Sequence, residues 1–175
     1  PRRGTRVRPT VGVNGYYEGQ SLQRIERLEI MVSAILEGKP DKNLILVTGR
    51  SHPKLATDVA EQLGIDVLET TAYDFANGEM YVRYTEPVRG ADVFVLQCHS
   101  GDINKWIMEQ LIMIDALKRA SAKSITVVAP FLGYSRQDKK HRGREPITAR
   151  LIFDLFHAAG ADRIMTVDLH AAQEQ

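Results

Sequence analysis

SITVVAPFLG (residues 124–133) runs directly into YSRQDKKHRGREP (residues 134–146). The first stretch is short, apolar and rich in β-branched residues, the pattern of a buried strand. The second carries Arg136, Lys139, Lys140, Arg142 and Arg144 against only Asp138 and Glu145. Pro146 suits the first position of a helix. The spacing assigns that helix an inward face of Ile147, Leu151, Leu155 and Ala159, and Gly160 stops it. Ligands of α/β proteins bind beyond the carboxyl ends of the strands. A cationic loop between a strand and a helix is therefore placed to hold phosphates.

The neighbouring segments repeat the alternation. LILVTG (44–49) reads as a buried strand. Ser51 and Pro53 open a helix bearing Leu55, Val59 and Leu63, closed by Gly64. IDVLET (65–70) reads as the next strand, TAYDFANGE (71–79) as a loop, and MYVRYT (80–85) as a half-exposed strand in a hairpin or flap. DVFVLQC (92–98) is a second buried strand. A helix over 103–120 follows, with Asp102 as its expected N-cap. It is apolar almost all round, which predicts burial on more than one side. RIMTVDL (163–169) is a fourth buried strand. The fold class is α/β, a mostly parallel twisted sheet with flanking helices. The loops at 98–102, 131–145 and 168–173 should share one edge.

The N-terminus differs. Residues 1–20 are rich in Gly, Pro and Arg and read as a loose arm. Ser21 then caps an amphipathic helix carrying Leu22, Ile25, Leu28, Val32 and Ile35, ended by Gly38. Residues 1–40 form an arm and helix of unknown role, and 41–175 form the domain.

Composition excludes several classes. The 175 residues are 43% hydrophobic and 26% charged, with a formal net charge of +1, ordinary for a soluble domain. The single cysteine, Cys98, rules out an internal disulfide and suits the reducing cytoplasm. No apolar run approaches the length of a membrane span. The basic N-terminus lacks the apolar core of a secretory signal.

Several groups could carry chemistry. Arg forks match phosphate oxygens, and Lys supplies point charge. Neither GxxxxGK[ST] nor GxGxxG occurs, so the commonest nucleotide loops are missing. From charge alone the basic loop reads equally well as a solvated surface loop. Nucleic acid is the weaker reading, because only Tyr134 offers a stacking platform. Asp168 and His170, two apart in an extended segment, face the same side. They could bind a divalent metal or simply pair with each other. Phe75 could stack on a purine whose edge Asn77 and Glu79 reach. The same residues could equally be a turn in which Asn77-Gly78 supplies the positive φ. His99 could serve in catalysis or only line the cleft.

Together, TGRSHPKLATDVAEQLG, DFANGEMYVR, YSRQDKKHRGREPI and AGADRIMTVDLHAAQ resemble the ribose-phosphate pyrophosphokinase family, the phosphoribosyl pyrophosphate (PRPP) synthetases. The resemblance runs from about residue 44 to 173. It implies a phosphoribosyltransferase-like domain, the ATP side of the enzyme, incomplete at its C-terminus. It implies transfer of the pyrophosphoryl group of ATP to ribose 5-phosphate, giving PRPP and AMP, with Mg²⁺. By this resemblance Phe75, Asn77 and Glu79 reach the adenine of a neighbouring subunit. Arg136 and Gln137 contact ATP, with Lys139, Lys140 and His141 beside them, and His170 with Asp168 binds the metal. It also implies a homo-oligomer, dimers building a hexamer. The family's ribose 5-phosphate loop and its catalytic Lys and Arg do not occur here, so no catalytic residue is expected within this chain and the chain alone is not expected to be competent. Two other readings stand beside it. One is a non-catalytic regulatory or assembly subunit, the other an anion- or nucleic-acid-binding module.

Overall fold

A computed structural model describes residues 43–168. The expected helix at 21–38 lies outside them, as does His170. The elements run β1 (Leu44–Thr48), α1 (Pro53–Leu63), β2 (Thr70–Asp74), β3 (Met80–Tyr84), β4 (Asp92–Leu96), α2 (Ile103–Arg119), β5 (Ser124–Phe131), α3 (Thr148–Ala159) and β6 (Arg163–Asp168). Four strands form one parallel sheet in the order β1-β4-β5-β6. β2 and β3 form a separate antiparallel hairpin.

The strand period of two divides the core between the faces of the sheet. Val93 and Val95 of β4 join Ile125, Val127 and Ala129 of β5 under α2 and α3. Phe94 and Leu96 lie in the other cluster, with Leu55, Ala56 and Val59 of α1. The α/β reading of a parallel sheet between helices is thus borne out. α1 begins at Pro53, its entry fixed by His52 Nδ1, which accepts from the Leu55 N–H at 3.2 Å. Gly64 closes it in the left-handed conformation, φ 65°.

Five expectations need correction. The segment 65–70 is not a full strand. Only Val67 bridges to Leu46, and the strand lies further on, at Thr70–Asp74. The supposed loop is partly that strand, since β3 needs an antiparallel partner and the β-branched and aromatic residues of TTAYD supply it. The inward face of α3 is Ala149, Ile152 and Phe156. Ile147, Leu151 and Leu155 are 39%, 52% and 39% exposed, because Phe156, fully buried against the sheet, sets the rotation of the helix. α3 starts at Thr148 rather than at Pro146. Among the described strands β6 lies at the edge of the sheet, with Arg163 exposed, rather than being fully buried.

α2 buries Ile107, Met113, Ile114 and Leu117, but also Glu109 and Gln110, and leaves Met108 half-exposed. Asp102 stands at its N-cap position without a side-chain cap bond. Gln110 belongs to a closed relay. The Gly133 N–H donates to His99 Nδ1 at 3.1 Å, so the ring proton sits on Nε2 and faces Gln110 Oε1 at 2.8 Å. Gln110 Nε2 then donates to the Val95 carbonyl at 2.9 Å. Burial holds the imidazole down to about 4 from its ordinary 6.5, only partly opposed by the Gln110 bond.

Two outcomes are expected. A methyl on Gly133 would lie 2.5 Å from Ile103 Cγ2 and 3.2 Å from Ile107 Cδ1, whereas one on Gly143 meets nothing within 4 Å. Gly133→Ala should lower unfolding free energy by about 1–3 kcal/mol in urea titrations. Gly143→Ala should change it by less than about 0.5 kcal/mol. Equal effects would contradict this packing. For His99, a depressed folded pKa means that the unfolded chain binds the extra proton first. Its stabilising share is therefore full above pH 6.5 and lost as pH falls towards 4. The total is of order 3 kcal/mol. His99→Asn should flatten that slope of stability against pH, and an unchanged slope would contradict the assignment.

Candidate functional site

Parallel strands end on one edge, so the segments after β1, β4 and β5 converge. The basic loop leaves β5 through buried Leu132 and Gly133. Tyr134 turns the chain at φ 65°, and the Gln137 N–H donates back to the Tyr134 carbonyl at 2.9 Å. The Tyr134 hydroxyl donates to Asn104 Oδ1 on α2. The carbonyl of Gln137 accepts from the Ala149 N–H at 3.1 Å, and its side-chain oxygen accepts from the Thr148 hydroxyl. The loop is thereby tied to the first turn of α3. Further along, Glu145 Oε2 accepts from the backbone N–H groups of His141 and Arg142 at 2.8 and 2.9 Å. Those two bonds, Arg142 first, hold the Glu145 carboxyl below its ordinary value.

Arg136, Gln137, Lys139, Lys140 and His141 all lie on this loop, and all five are exposed. Among the described residues, no ion pair engages Arg136, Lys139, Lys140, Arg142 or Arg144. The loop therefore presents uncompensated positive charge at the sheet edge, held by backbone and amide bonds instead. A cleft of about 650 Å³ between α3 and β6 is lined by Asp138 from the same loop, with Arg150, Phe153, His157 and Arg163.

Phe75, Asn77 and Glu79 sit together at the tip of the β2–β3 hairpin, all exposed. The Phe75 N–H donates to the Glu79 carbonyl at 2.7 Å, the Gly78 N–H to the Phe75 carbonyl at 2.9 Å, and the Glu79 N–H to Asn77 Oδ1 at 3.2 Å. Gly78 takes the positive φ, 89°. Tyr73 stacks on Tyr81 at 4.9 Å, and Phe75 meets both edge-on at 5.3 and 6.3 Å. Among the described residues, no hydrogen bond joins this tip to the basic loop. The two halves of the expected nucleotide site are tied to adjacent residues of α2 instead, Lys105 and Asn104.

Asp168 ends β6, opposite Phe131 on the same sheet edge. Its side chain, like His170, lies outside what the structure describes. Among the described residues, no group of three or more His, Cys, Asp or Glu is placed to hold a metal, and no helix is long and apolar enough to cross a membrane.

Sequence reasoning missed the residues that organise this edge. Arg50, just after β1, donates its N–H to Glu109 Oε1 at 2.7 Å and its Nε to Glu109 Oε2 at 2.6 Å. Its Nη2 reaches Asp74 Oδ1 at 2.6 Å, and Lys105 holds the other Asp74 oxygen at 2.7 Å. Lys105 and then Arg50 keep the Asp74 carboxyl below its usual value. Gln97 joins in, accepting from Ser51 Oγ at 2.9 Å and donating to Glu109 at 3.0 Å. The available signal was a pair of adjacent polar residues, Glu109-Gln110, inside an apolar helix, together with a charged residue directly after a buried strand.

Comparison with known proteins agrees with this architecture. Residues 44–160 match the family profile of the N-terminal domain of ribose phosphate pyrophosphokinase. The ribose-phosphate pyrophosphokinase of Bifidobacterium longum is 86% identical over 145 residues, 83% of this chain and 43% of the relative. That of Streptomyces avermitilis is 67% identical over 135 residues, 77% of this chain and 42% of the relative. The crystal structure of phosphoribosylpyrophosphate synthetase from Mycobacterium smegmatis superposes with a TM-score of 0.75 at 63% identity, covering 77% of this chain and 45% of that one. The chain thus spans less than half the length of these relatives. With its parallel sheet, basic loop and hairpin in place, it belongs to the ribose-phosphate pyrophosphokinase family, and the part of that family it matches is the N-terminal domain.

Proposed function

We propose that this chain is the ATP-side domain of an enzyme that transfers the pyrophosphoryl group of ATP to the 1-hydroxyl of ribose 5-phosphate. The observation that carries this reading is the basic loop: an anchored segment at the carboxyl edge of a parallel sheet whose five cations have no carboxylate partner among the described residues. In the reaction the ribose 1-hydroxyl gives up its proton to solvent and its oxygen bonds to the β-phosphorus, the bond from that phosphorus to the α,β-bridging oxygen breaks, and AMP leaves. Such transfers depend on positioning and on neutralising charge, not on covalent chemistry by the protein.

Arg136 and Gln137 hold the triphosphate in this proposal. Arg136 supplies the guanidinium fork, while Gln137 is aligned by its bonds to Thr148 and Ala149. Lys139, Lys140 and His141 add donors and positive field. Phe75, Asn77 and Glu79 receive the adenine, Phe75 by stacking and the other two by hydrogen bonds at the ring edge. The exposed hairpin tip shares no hydrogen bond with the basic loop among the described residues, which leaves it available to deliver the purine contacts to a neighbouring subunit in a homo-oligomer. Ile147, at the N-cap of α3, and Leu151 and Leu155 on it expose apolar surface that assembly could cover.

Asp168 and His170 are the proposed Mg²⁺ ligands. Asp168 ends β6 on the edge that carries the basic loop, and a carboxylate is a hard oxygen donor suited to this ion. When bound, the metal neutralises phosphate charge. The residues described here would then orient and clamp the nucleotide around it. Ribose 5-phosphate has no assigned site among these residues, so the 175-residue chain alone should form no PRPP. We assign it to the cytoplasm as part of the same reading.

Calorimetric titration with Mg-ATP tests the clamp. Arg136→Ala should weaken binding about tenfold or more, as expected for loss of a charge-assisted hydrogen bond of about 1.5–3 kcal/mol. Equal affinity in the variant would instead favour a subunit that keeps the fold for assembly. PRPP formed from ATP and ribose 5-phosphate by the purified chain would overturn the incompetence of the fragment.

A further inference from the structure

We propose that Arg50 is the positioning residue of the Phe75–Glu79 turn, fixing that turn through Asp74 to the carboxyl edge of the sheet. The purine role of the turn rests on the function proposed above. The mechanical role of Arg50 does not.

The chain of contacts starts in the core. Glu109 is fully buried on α2 and is held from below by Gln97 Nε2 at 3.0 Å. Its two oxygens receive the Arg50 N–H and Nε, so the guanidinium plane is fixed against a carboxylate that has little room to swing. The far end of the same guanidinium, Nη2, then meets Asp74 at 2.6 Å. Asp74 is the last residue of β2, paired with Met80 and directly followed by Phe75. Lys105 takes its other oxygen.

The hairpin needs such a brace. A two-stranded hairpin on its own is marginally stable in water. At the base this one is held by the Tyr84 hydroxyl, which donates to the Met113 carbonyl at 3.1 Å, and by the Leu68 N–H, which donates to the Leu46 carbonyl of β1 at 2.8 Å. At the tip end, the hydrogen bonds to the rest of the domain among the described residues come only from Arg50 and Lys105. Removing Arg50 leaves Lys105 as the one remaining hydrogen bond from the tip end to the rest of the domain among the described residues, a single flexible ammonium contact that lets the tip loosen about its base. The aromatic side chains act differently. Tyr73 and Tyr81 set the ring of Phe75 within the hairpin, but they do not tie the hairpin to the sheet. A lysine cannot replace Arg50, because one ammonium lacks the planar fork that bridges two carboxylates on different elements.

The test uses the 175-residue chain as wild type, Arg50→Ala, Arg50→Lys, Asp74→Asn and Arg136→Ala. Amide hydrogen exchange at Phe75 and Gly78 should accelerate by about tenfold or more in Arg50→Ala and Asp74→Asn, with the amides of β4 and β5 unchanged. Arg50→Lys should recover only part of the protection. Binding is read with two probes, Mg-ATP and inorganic tripolyphosphate, which has no base. Arg50→Ala should weaken Mg-ATP about fivefold or more and leave tripolyphosphate unchanged, since a displaced turn removes only base contacts. Unchanged exchange at Phe75 and Gly78 would overturn the proposal. So would acceleration that spreads through β4 and β5, or equal losses for both probes, either of which marks a merely structural or a phosphate-binding arginine. If Arg136→Ala leaves Mg-ATP binding intact, the nucleotide assignment falls, and the exchange data still decide the role of Arg50. If Arg136→Ala weakens Mg-ATP and Arg50→Ala does not, the link from the turn to the purine falls alone.

Discussion

Four polar side chains lie inside the carboxyl edge of the sheet: Gln97, His99, Glu109 and Gln110, each 1% exposed or less. A buried polar group left without a partner costs about 1–3 kcal/mol, and a charged one more. Each of these four is therefore answered, and outside β4, α2 and the segment between them every partner belongs to a loop at this edge. Ser51 and Arg50, after β1, satisfy Gln97 and Glu109. Gly133, after β5, satisfies His99. The need to pair buried polar atoms thus fixes the loops that a ligand would meet. Gly49 belongs to the same constraint. A Cβ there would lie 2.3 Å from Gln97 Oε1, so only glycine lets the chain pass so close to the amide.

Charge is distributed in two opposite ways along that edge. Arg50 is committed, held between Glu109 and Asp74. Burial alone would lower its pKa, but the two carboxylates raise it, so the guanidinium stays charged with its fork occupied. The basic loop does the reverse. Its shape comes from backbone bonds to Glu145 and from Gln137 at the start of α3, so its cations are not consumed in building it. Clustered exposed cations repel one another and gain most from a multivalent anion. One arginine therefore belongs to the architecture, whereas those of the basic loop stay unpaired among the described residues, a distinction that residue type alone cannot make.

The sequence carried the strand–helix alternation because each buried run is short and bounded by Gly, Pro or charge. It carried the edge on which the loops meet because parallel strands leave no alternative. It did not carry the register of the hairpin. TTAYD is polar enough to read as loop, and only its pairing with MYVRY makes it a strand. On α3, a strict four-residue count through Ile147, Leu151 and Leu155 drifted off the buried face, which Ile152 and Phe156 define. Phe75, Asn77, Arg136 and Gln137 were legible as motif residues, since exposed loops hold them. Arg50 and Glu109 were not, because their pairing joins positions far apart in the chain and only the fold brings them together.

The first half of α2 explains why so much depends on so few bonds. Successive helical residues point about 100° apart, so neighbours in sequence can serve different loops. Asn104 accepts from Tyr134 in the basic loop. Lys105 holds Asp74 under the hairpin tip. Glu109 holds Arg50 after β1, and Gln110 holds His99, which in turn holds Gly133. Within about two turns the helix is bonded, directly or through one residue, to each of the three segments that carry the proposed nucleotide contacts or position them. The hairpin tip and the basic loop share no hydrogen bond among the described residues, yet both are referenced to this one rigid element. A shift of α2 along its axis would therefore move the two together, whereas a change at Arg50 would move one against the other.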